Sequence, residues 1–401
     1  MGLENFSIIH SIPTVGAMSF GLGPVALNLT REQIKLGKNA SIWCLDSTDG
    51  QRWGSASSGL SENRIHIFKK SWPSFLGYSR TMENIAKSHT FKQPIILHQH
   101  GIWTRLSRTA NIIRSKSNAA TIITPHGSLK PWALKKSAWK KRAALMMYEN
   151  SNLVKTSCIH AVSDAEAQDI RSFGLVNPVA VIPNGISENW MASKGDGVNF
   201  RTKFGISTSK RVLLFLSRIT PVKGLPMLLE SIADLGTDFS EWVLVIAGND
   251  EFNHKKLVFE TVVRLGLIDK IIFTGPLFDQ SKRDAFAASD LFVLPSYSEA
   301  APIVILEALS AGVPVVATKA SPWNDLEEYK CGWLTEIDRE SLANGLRIAI
   351  SSTRSDLSSM GQRGRDLIMR NYTWYRSAKM LIDLYGWVLG FGEKPAFVTT
   401  A

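Results

Sequence analysis

Ser298-Glu299-Ala300-Ala301-Pro302-Ile303-Val304-Ile305-Leu306-Glu307-Ala308-Leu309-Ser310-Ala311-Gly312 decides how the rest of the chain is read. An apolar run, Leu291-Phe292-Val293-Leu294-Pro295, precedes it, and Val313-Pro314-Val315-Val316-Ala317 follows. Two apolar runs around a helical stretch read as a strand, a crossover helix and a parallel strand. Glu299 falls in the loop after the first strand, and Glu307 falls near the start of the helical pattern. In an open α/β sheet, ligands bind at the carboxyl ends of the strands. The two carboxylates are therefore candidates to grip one polyhydroxylated ligand. A solvated loop charge and a helix-face charge would look the same, so the surrounding chain has to decide.

Outward from this unit the pattern repeats. Arg211 to Ser217, Trp242 to Gly248 and Ile271 to Gly275 are apolar runs separated by helical patterns, which gives a doubly wound parallel sheet. The first run empties into Arg218-Ile219-Thr220-Pro221-Val222-Lys223-Gly224, a strand-to-helix loop whose Arg218 and Lys223 are placed to neutralise phosphates.

A second series occupies the N-terminal half. Strand patterns occur at Phe6 to His10, Ala40 to Leu45, Pro94 to His98, Ala120 to Thr124, Thr156 to Ser163 and Val179 to Ile186. Between the first two lies Phe20-Gly21-Leu22-Gly23 at the start of a helical run, where Gly21 and Gly23 allow a backbone to approach an anion. His100-Gly101 and His126-Gly127 each sit at the end of a strand pattern, where a ligand would be met. The polar stretch Ser187 to Thr208 is the expected boundary, giving domains at 1–190 and 205–371. A final helix at about 372–390 follows, and the tail from Phe391 is expected to be loose.

Length and composition fit this reading. A chain of 401 residues suggests two domains, and 44% apolar with 20% charged residues is ordinary for a soluble globular protein. No run of eighteen apolar residues predicts a membrane-spanning helix, and the acidic, uncharged-by-lysine start Met1 to Phe6 does not predict a signal peptide. Cys44, Cys158 and Cys331 are too scattered for a disulfide framework or a zinc site, which suits a cytoplasmic location. No Asp-x-Asp occurs and no histidine spacing suggests zinc, so no metal is expected.

The net charge of +11 is concentrated. Eleven basic residues lie between Gly101 and His160 against the single acid Glu149. Such a region asks for an anionic partner: nucleic acid, an anionic lipid surface or a phosphorylated substrate. Its centre, Lys130 to Arg142, alternates lysines with Trp132, Leu134 and Trp139 at helical spacing. A basic amphipathic helix with tryptophans suits a membrane interface. No nucleic-acid-binding signature accompanies it, so nucleic acid is not expected.

The ordered motifs resemble those of the retaining, nucleotide-sugar-dependent glycosyltransferases of family four, the group 1 transferases of GT-B architecture. The matching segments are Ser217 to Gly224, Pro183-Asn184-Gly185, Ala161-Val162-Ser163, Phe273-Thr274-Gly275, and Glu299 to Glu307 with Ala311 to Val316. Pro125 to Leu134 is similar to a version found in members that build bacterial surface polysaccharides. The resemblance runs from about residue 10 to residue 390. It implies two Rossmann-like domains facing a cleft, with the C-terminal helix crossing back to the N-terminal domain. It implies Arg218 and Lys223 on the donor diphosphate, Glu307 on the ribose and Glu299 on the transferred sugar. His126 would lie near the reaction centre and Gly21 and Gly23 against the phosphates. Phe273 to Leu277 would approach the base, and Ile303 and Val304 would line the nucleotide site. No metal or other cofactor is implied.

The expected activity is transfer of a sugar from a nucleotide-diphosphate-sugar donor to a lipid-linked or growing glycan acceptor. It would take place at the inner face of a membrane held through 130–142. A soluble transferase with a small acceptor and a nucleotide-sugar epimerase of the same architecture are the alternatives. Family members often carry Glu-Gly-Phe where this chain has Glu299-Ala300-Ala301, a change beside the transferred sugar.

Overall fold

The computed structural model describes residues 6–15, 22–46, 60–88, 93–117 and 119–400. The chain divides into two compact units, one made of Met1–Gly185 with Trp374–Ala401 and the other of Ile186–Thr373.

The N-terminal unit is built on eight strands: β1 (Ser7–Ile12), β2 (Asn39–Leu45), β3 (Ile65–Phe68), β4 (Ile95–His100), β5 (Ala120–Thr124), β6 (Cys158–Ala161), β7 (Val179–Val181) and β14 (Val398–Thr399). They run in the order β14-β7-β6-β5-β4-β1-β2-β3. All neighbours are parallel except β14 on β7. Ile8, Ile42, Ile96 and Ile122 are fully buried, as expected of a parallel sheet covered on both faces.

The C-terminal unit carries β8 (Arg211–Leu216), β9 (Trp242–Ala247), β10 (Ile271–Gly275), β11 (Leu291–Leu294), β12 (Val315–Thr318) and β13 (Gly332–Thr335). Their order is β10-β9-β8-β11-β12-β13, all parallel. Counted within the unit this is 3-2-1-4-5-6, the dinucleotide-fold order, with its reversal between β8 and β11. Apolar side chains on the two sides of the sheet form separate cores, one around Leu214 and Val245 and the other around Leu213 and Phe215.

Four expectations are corrected. The boundary is not at 205: Gly197–Lys203 is a helix of the C-terminal unit, because Phe200 and Ile206 are buried in that unit's core. The tail is not loose, since Val398 and Thr399 pair with Ala180 and Val179, and Val181 N–H donates to the Phe397 carbonyl. Residues 130–142 are not one helix. Pro131–Lys135 and Ala138–Ala144 are separate short helices, broken where Ser137 takes a left-handed backbone at φ 53°. Finally, the strand expected to end at His98 runs on: His100 is the last residue of β4 and has no exposed surface.

Candidate functional site

At the strand-order reversal of the C-terminal unit, the loops after β8 and β11 carry most of the sequence-predicted residues. Lys223 closes the first loop as a short 3-10 turn, with Pro221 at its start and Gly224 at φ 70° ending it. A Cβ on Gly224 would stand 2.0 Å from the Pro295 carbonyl oxygen, so only glycine lets this loop pass so close to the end of β11. Tyr297 N–H donates to the Val222 carbonyl at 2.8 Å and laces the two loops together.

The lacing brings Lys223 Nζ to 2.5 Å from Glu299 Oε1, which also accepts from Ser296 Oγ at 2.6 Å. Both charged side chains are about nine-tenths buried. A buried pair of this kind gains from proximity what it loses in hydration, and either charge is costly to leave alone. Arg218 Nη1 meets both Glu251 carboxylate oxygens at 3.1 and 2.9 Å on a more exposed flank. The Thr220 hydroxyl between them is buried with no hydrogen-bond partner.

Ile303 and Val304 form the first turn of the helix Ile303–Ser310, and Glu307 follows on its buried side. Lys282 Nζ lies 2.5 Å from Glu307 Oε2, off the line a hydrogen bond needs. The helix is held against Arg354–Asn371, where a Cβ on Gly361 would strike the Gly312 carbonyl oxygen at 1.9 Å. Leu277, just past β10, is half-buried and packs on the core beneath. Arg218, Lys223, Glu299, Glu307, Leu277, Ile303 and Val304 thus belong to one unit, with Lys223 and Glu299 in direct contact.

In the N-terminal unit the candidate site is histidine-rich. His126 follows β5 with a left-handed backbone at φ 52°, and Gly127 continues at φ 76°. A non-glycine residue held in this region is strained and has to be fixed by its surroundings. Glu166, buried at 1% exposure, does so: its two oxygens accept from Gly127 N–H at 2.6 Å and Val162 N–H at 2.8 Å. Burial raises the Glu166 carboxyl pKa, against the pull of those two amides. Gly23 lies in the first turn of the helix Leu22–Lys35 and is buried. Gly21 lies outside the described residues.

Behind His126 stand four more histidines that the sequence reading did not connect. His100 Nδ1 lies 3.1 Å from His126 Nε2, His10 Nδ1 lies 2.9 Å from His100 Nε2, and His10 Nε2 lies 2.8 Å from Gln33 Oε1. In a second row, His98 Nδ1 meets Tyr385 Oη at 2.6 Å and His98 Nε2 meets Thr124 Oγ1 at 2.7 Å. Thr124 Oγ1 meets His160 Nδ1 at 2.8 Å, and His160 Nε2 meets the Ile182 carbonyl at 2.8 Å. Burial, first of all, lowers His10 and His160 to about 4 and His126 to about 3. Burial followed by neighbouring histidines holds His98 and His100 well below the usual range. The available signal was His98-x-His100, whose period of two puts both rings on one face of β4.

Two family models match, "Glycosyltransferase Family 4" over residues 21–190 and "Glycosyl transferases group 1" over residues 198–367. The chain belongs to the group 1 glycosyltransferases. The N-acetyl-alpha-D-glucosaminyl L-malate synthase of Bacillus anthracis is 25% identical over 47% of this chain and 48% of its own. The lipopolysaccharide 1,2-N-acetylglucosaminetransferase of Salmonella typhimurium is 26% identical over 50% of this chain and 54% of its own. The chain thus matches about half the length of these curated relatives. Anabaena Alr3699/HepE, solved with UDP and glucose, superposes with a TM-score of 0.74 at 19% identity, covering 94% of this chain and 98% of that one. That likeness establishes the fold, two Rossmann-like units of the GT-B type.

The basic segment of the N-terminal unit has its own anchor. Glu149, the lone acid there, is fully buried and accepts from Trp103 N–H, Ser107 Oγ and Asn152 Nδ2. It closes a π-helical turn, Leu145–Glu149, that leaves Met146 and Met147 at 84% and 67% exposure. Trp132 and Trp139 are also exposed, beside the exposed Lys135, Lys136, Lys140 and Arg142. No helix among the described residues is long and apolar enough to cross a membrane.

As for metals, His10, His98 and His100 each bring a ring nitrogen within 4.8 Å of the others. Both nitrogens of each ring already bond protein groups, so the trio offers no free ligand set.

Proposed function

We propose that this protein transfers a sugar, with retention, from a nucleotide-diphosphate-sugar to a lipid-linked or growing glycan acceptor, without a metal. The observation that carries the reading is the buried Lys223–Glu299 pair at the strand-order reversal, flanked by Arg218 and Glu307. On donor binding, Lys223 and Arg218 meet the diphosphate, Glu299 turns to the sugar hydroxyls and Glu307 accepts from the ribose. Leu277, Ile303 and Val304 line the nucleotide. By the family resemblance, Gly21 and Gly23 would meet the phosphates and His126 the donor sugar.

Breaking the bond between the anomeric carbon and the phosphate oxygen sends the electron pair onto the diphosphate. Fixed cations stabilise that charge as it grows and lower the barrier. The acceptor oxygen bonds to the anomeric carbon on the same face, and its proton passes to the departing phosphate oxygen. Glu299, engaged by Lys223 and Ser296, serves to hold the sugar rather than as a nucleophile. Screening UDP-, GDP- and ADP-sugars by thermal shift identifies the donor, since a ligand that binds the native state raises its melting point. NMR of the product then fixes the anomer; no shift with any nucleotide sugar, or an inverted product, sinks the reading.

The acceptor side is read from the basic segment. Exposed Trp132, Trp139, Met146 and Met147 among lysines suit a peripheral contact with anionic lipid at the cytoplasmic membrane face. Sedimentation with phosphatidylglycerol vesicles should carry the protein down at low salt and lose it on charge reversal of Lys135, Lys136, Lys140 and Arg142. A small soluble acceptor is the second reading, favoured by the Bacillus anthracis relative whose name specifies L-malate. Indifference to vesicles would select it.

A further inference from the structure

The two histidine rows end differently, and the ends fix the protons along them. A backbone carbonyl can only accept, so His160 must donate from Nε2 to Ile182 and accept at Nδ1. Thr124 then donates to His160, which leaves its oxygen to accept from His98 Nε2–H. His98 Nδ1 is in turn an acceptor, and Tyr385 must donate to it. The row carries no choice once the Ile182 carbonyl is placed.

The other row ends on Gln33, whose amide oxygen faces His10 Nε2 at 2.8 Å. An amide oxygen can only accept, so the proton at this end of the row lies on His10 Nε2. His10 donates from Nε2 to Gln33, His100 donates from Nε2 to His10, and His126 donates from Nε2 to His100. His98 and His100 are stacked with ring centroids 4.4 Å apart, and His100 and His126 at 5.4 Å. Burial disfavours a first charge on any of these rings and repulsion at such separations disfavours a second, so every ring stays neutral.

We propose that Gln33, His10 and His100 are positioning residues that lock His126 as the Nε2–H tautomer, so that its Nδ1 presents a lone pair to the bound sugar. His126 has no other hydrogen-bond partner for that ring among the described residues. The site would read a hydrogen-bond donor, a sugar hydroxyl, and disfavour a phosphate or carboxylate oxygen at the same place. The sugar as ligand rests on the function proposed above; the tautomer does not.

Imidazole nitrogen shifts from long-range 1H–15N NMR on the ligand-free, 15N-histidine-labelled protein test the lock directly. His10, His98, His100, His126 and His160 should all show a protonated Nε2 and a bare Nδ1. Gln33→Leu removes the acceptor that ends the row, and His126 should become a mixture of tautomers while kcat/KM for the donor falls about tenfold, the worth of one hydrogen bond. Gln33→Met, closer in shape, should do the same if Gln33→Leu does not fold. A His126 that carries its proton on Nδ1, or a tautomer unmoved by either substitution, overturns the lock. A confirmed lock with donor turnover unaffected by His126→Ala would instead overturn the placement of sugar beside His126.

Discussion

The two units use the same sheet logic and stock it with opposite chemistry. At its strand-order reversal the C-terminal unit places buried ions, Lys223 against Glu299 and Lys282 against Glu307. Around β1, β4, β5 and β6 the N-terminal unit places neutral rings and hydroxyls chained by hydrogen bonds. Ions suit a partner whose own charge changes during reaction. A neutral network suits a partner that has to be oriented without being charged. The contrast teaches that one half of the molecule is built to answer charge and the other to resist it.

Acid should separate the halves most. A histidine whose folded pKa is depressed binds its proton in the unfolded chain first, so its stability contribution is intact above about pH 6.5 and is lost as pH falls toward the folded value. For His10, His126 and His160, lowered to about 4, 3 and 4, the loss at pH 5.5 is about 1.4 kcal/mol each, or about 4 kcal/mol together. His98 and His100 add in the same direction. Urea unfolding at pH 7.5 and 5.5 measures it; equal midpoints would erase the contrast.

Lys223→Ala should cost roughly 2–4 kcal/mol in the barrier, seen in kcat more than in donor affinity. A change confined to KM would show that the lysine only binds. Gly224→Ala should destabilise by about 2–3 kcal/mol, because a Cβ cannot fit against the Pro295 carbonyl without moving the loop. Chemical denaturation and donor titration together report the loss. Glu307→Ala should weaken nucleotide binding by about 1–2 kcal/mol, measured calorimetrically with free nucleoside diphosphate. An unchanged affinity would remove Glu307 from the site.

Much of this was readable from the sequence, and the failures share a cause. Strands buried on both faces, such as Leu291–Leu294, appear as apolar runs. The three strands that escaped, β3, β13 and β14, all lie at sheet edges. Exposed Ile67 and His66 in β3 illustrate why: an edge needs no continuous apolar run. The loop positions of Arg218, Lys223 and Glu299 were legible because charge follows an apolar strand, and that of Glu307 because it falls within the next helical run. The histidine rows were not, since His10 and His100 stand 90 residues apart and His98 and Tyr385 stand 287 apart. Local pattern carries no information about pairs that only the fold brings together. The single-helix reading of 130–142 failed at Ser137, where periodicity on both sides hid one left-handed residue.

The helix Trp374–Val388 packs against Leu22–Lys35, delivers Tyr385 to His98, and is followed by the strand that covers β7. The N-terminal unit is therefore discontinuous in the chain, whereas Ile186–Thr373 is uninterrupted. During synthesis the second unit has all its parts before the first does. A ribosome releasing residue 185 has emitted a sheet with β7 unpaired on one side and a histidine row missing its phenol. Truncation after residue 373 would thus leave the C-terminal unit whole and strip the N-terminal unit of its last helix and strand.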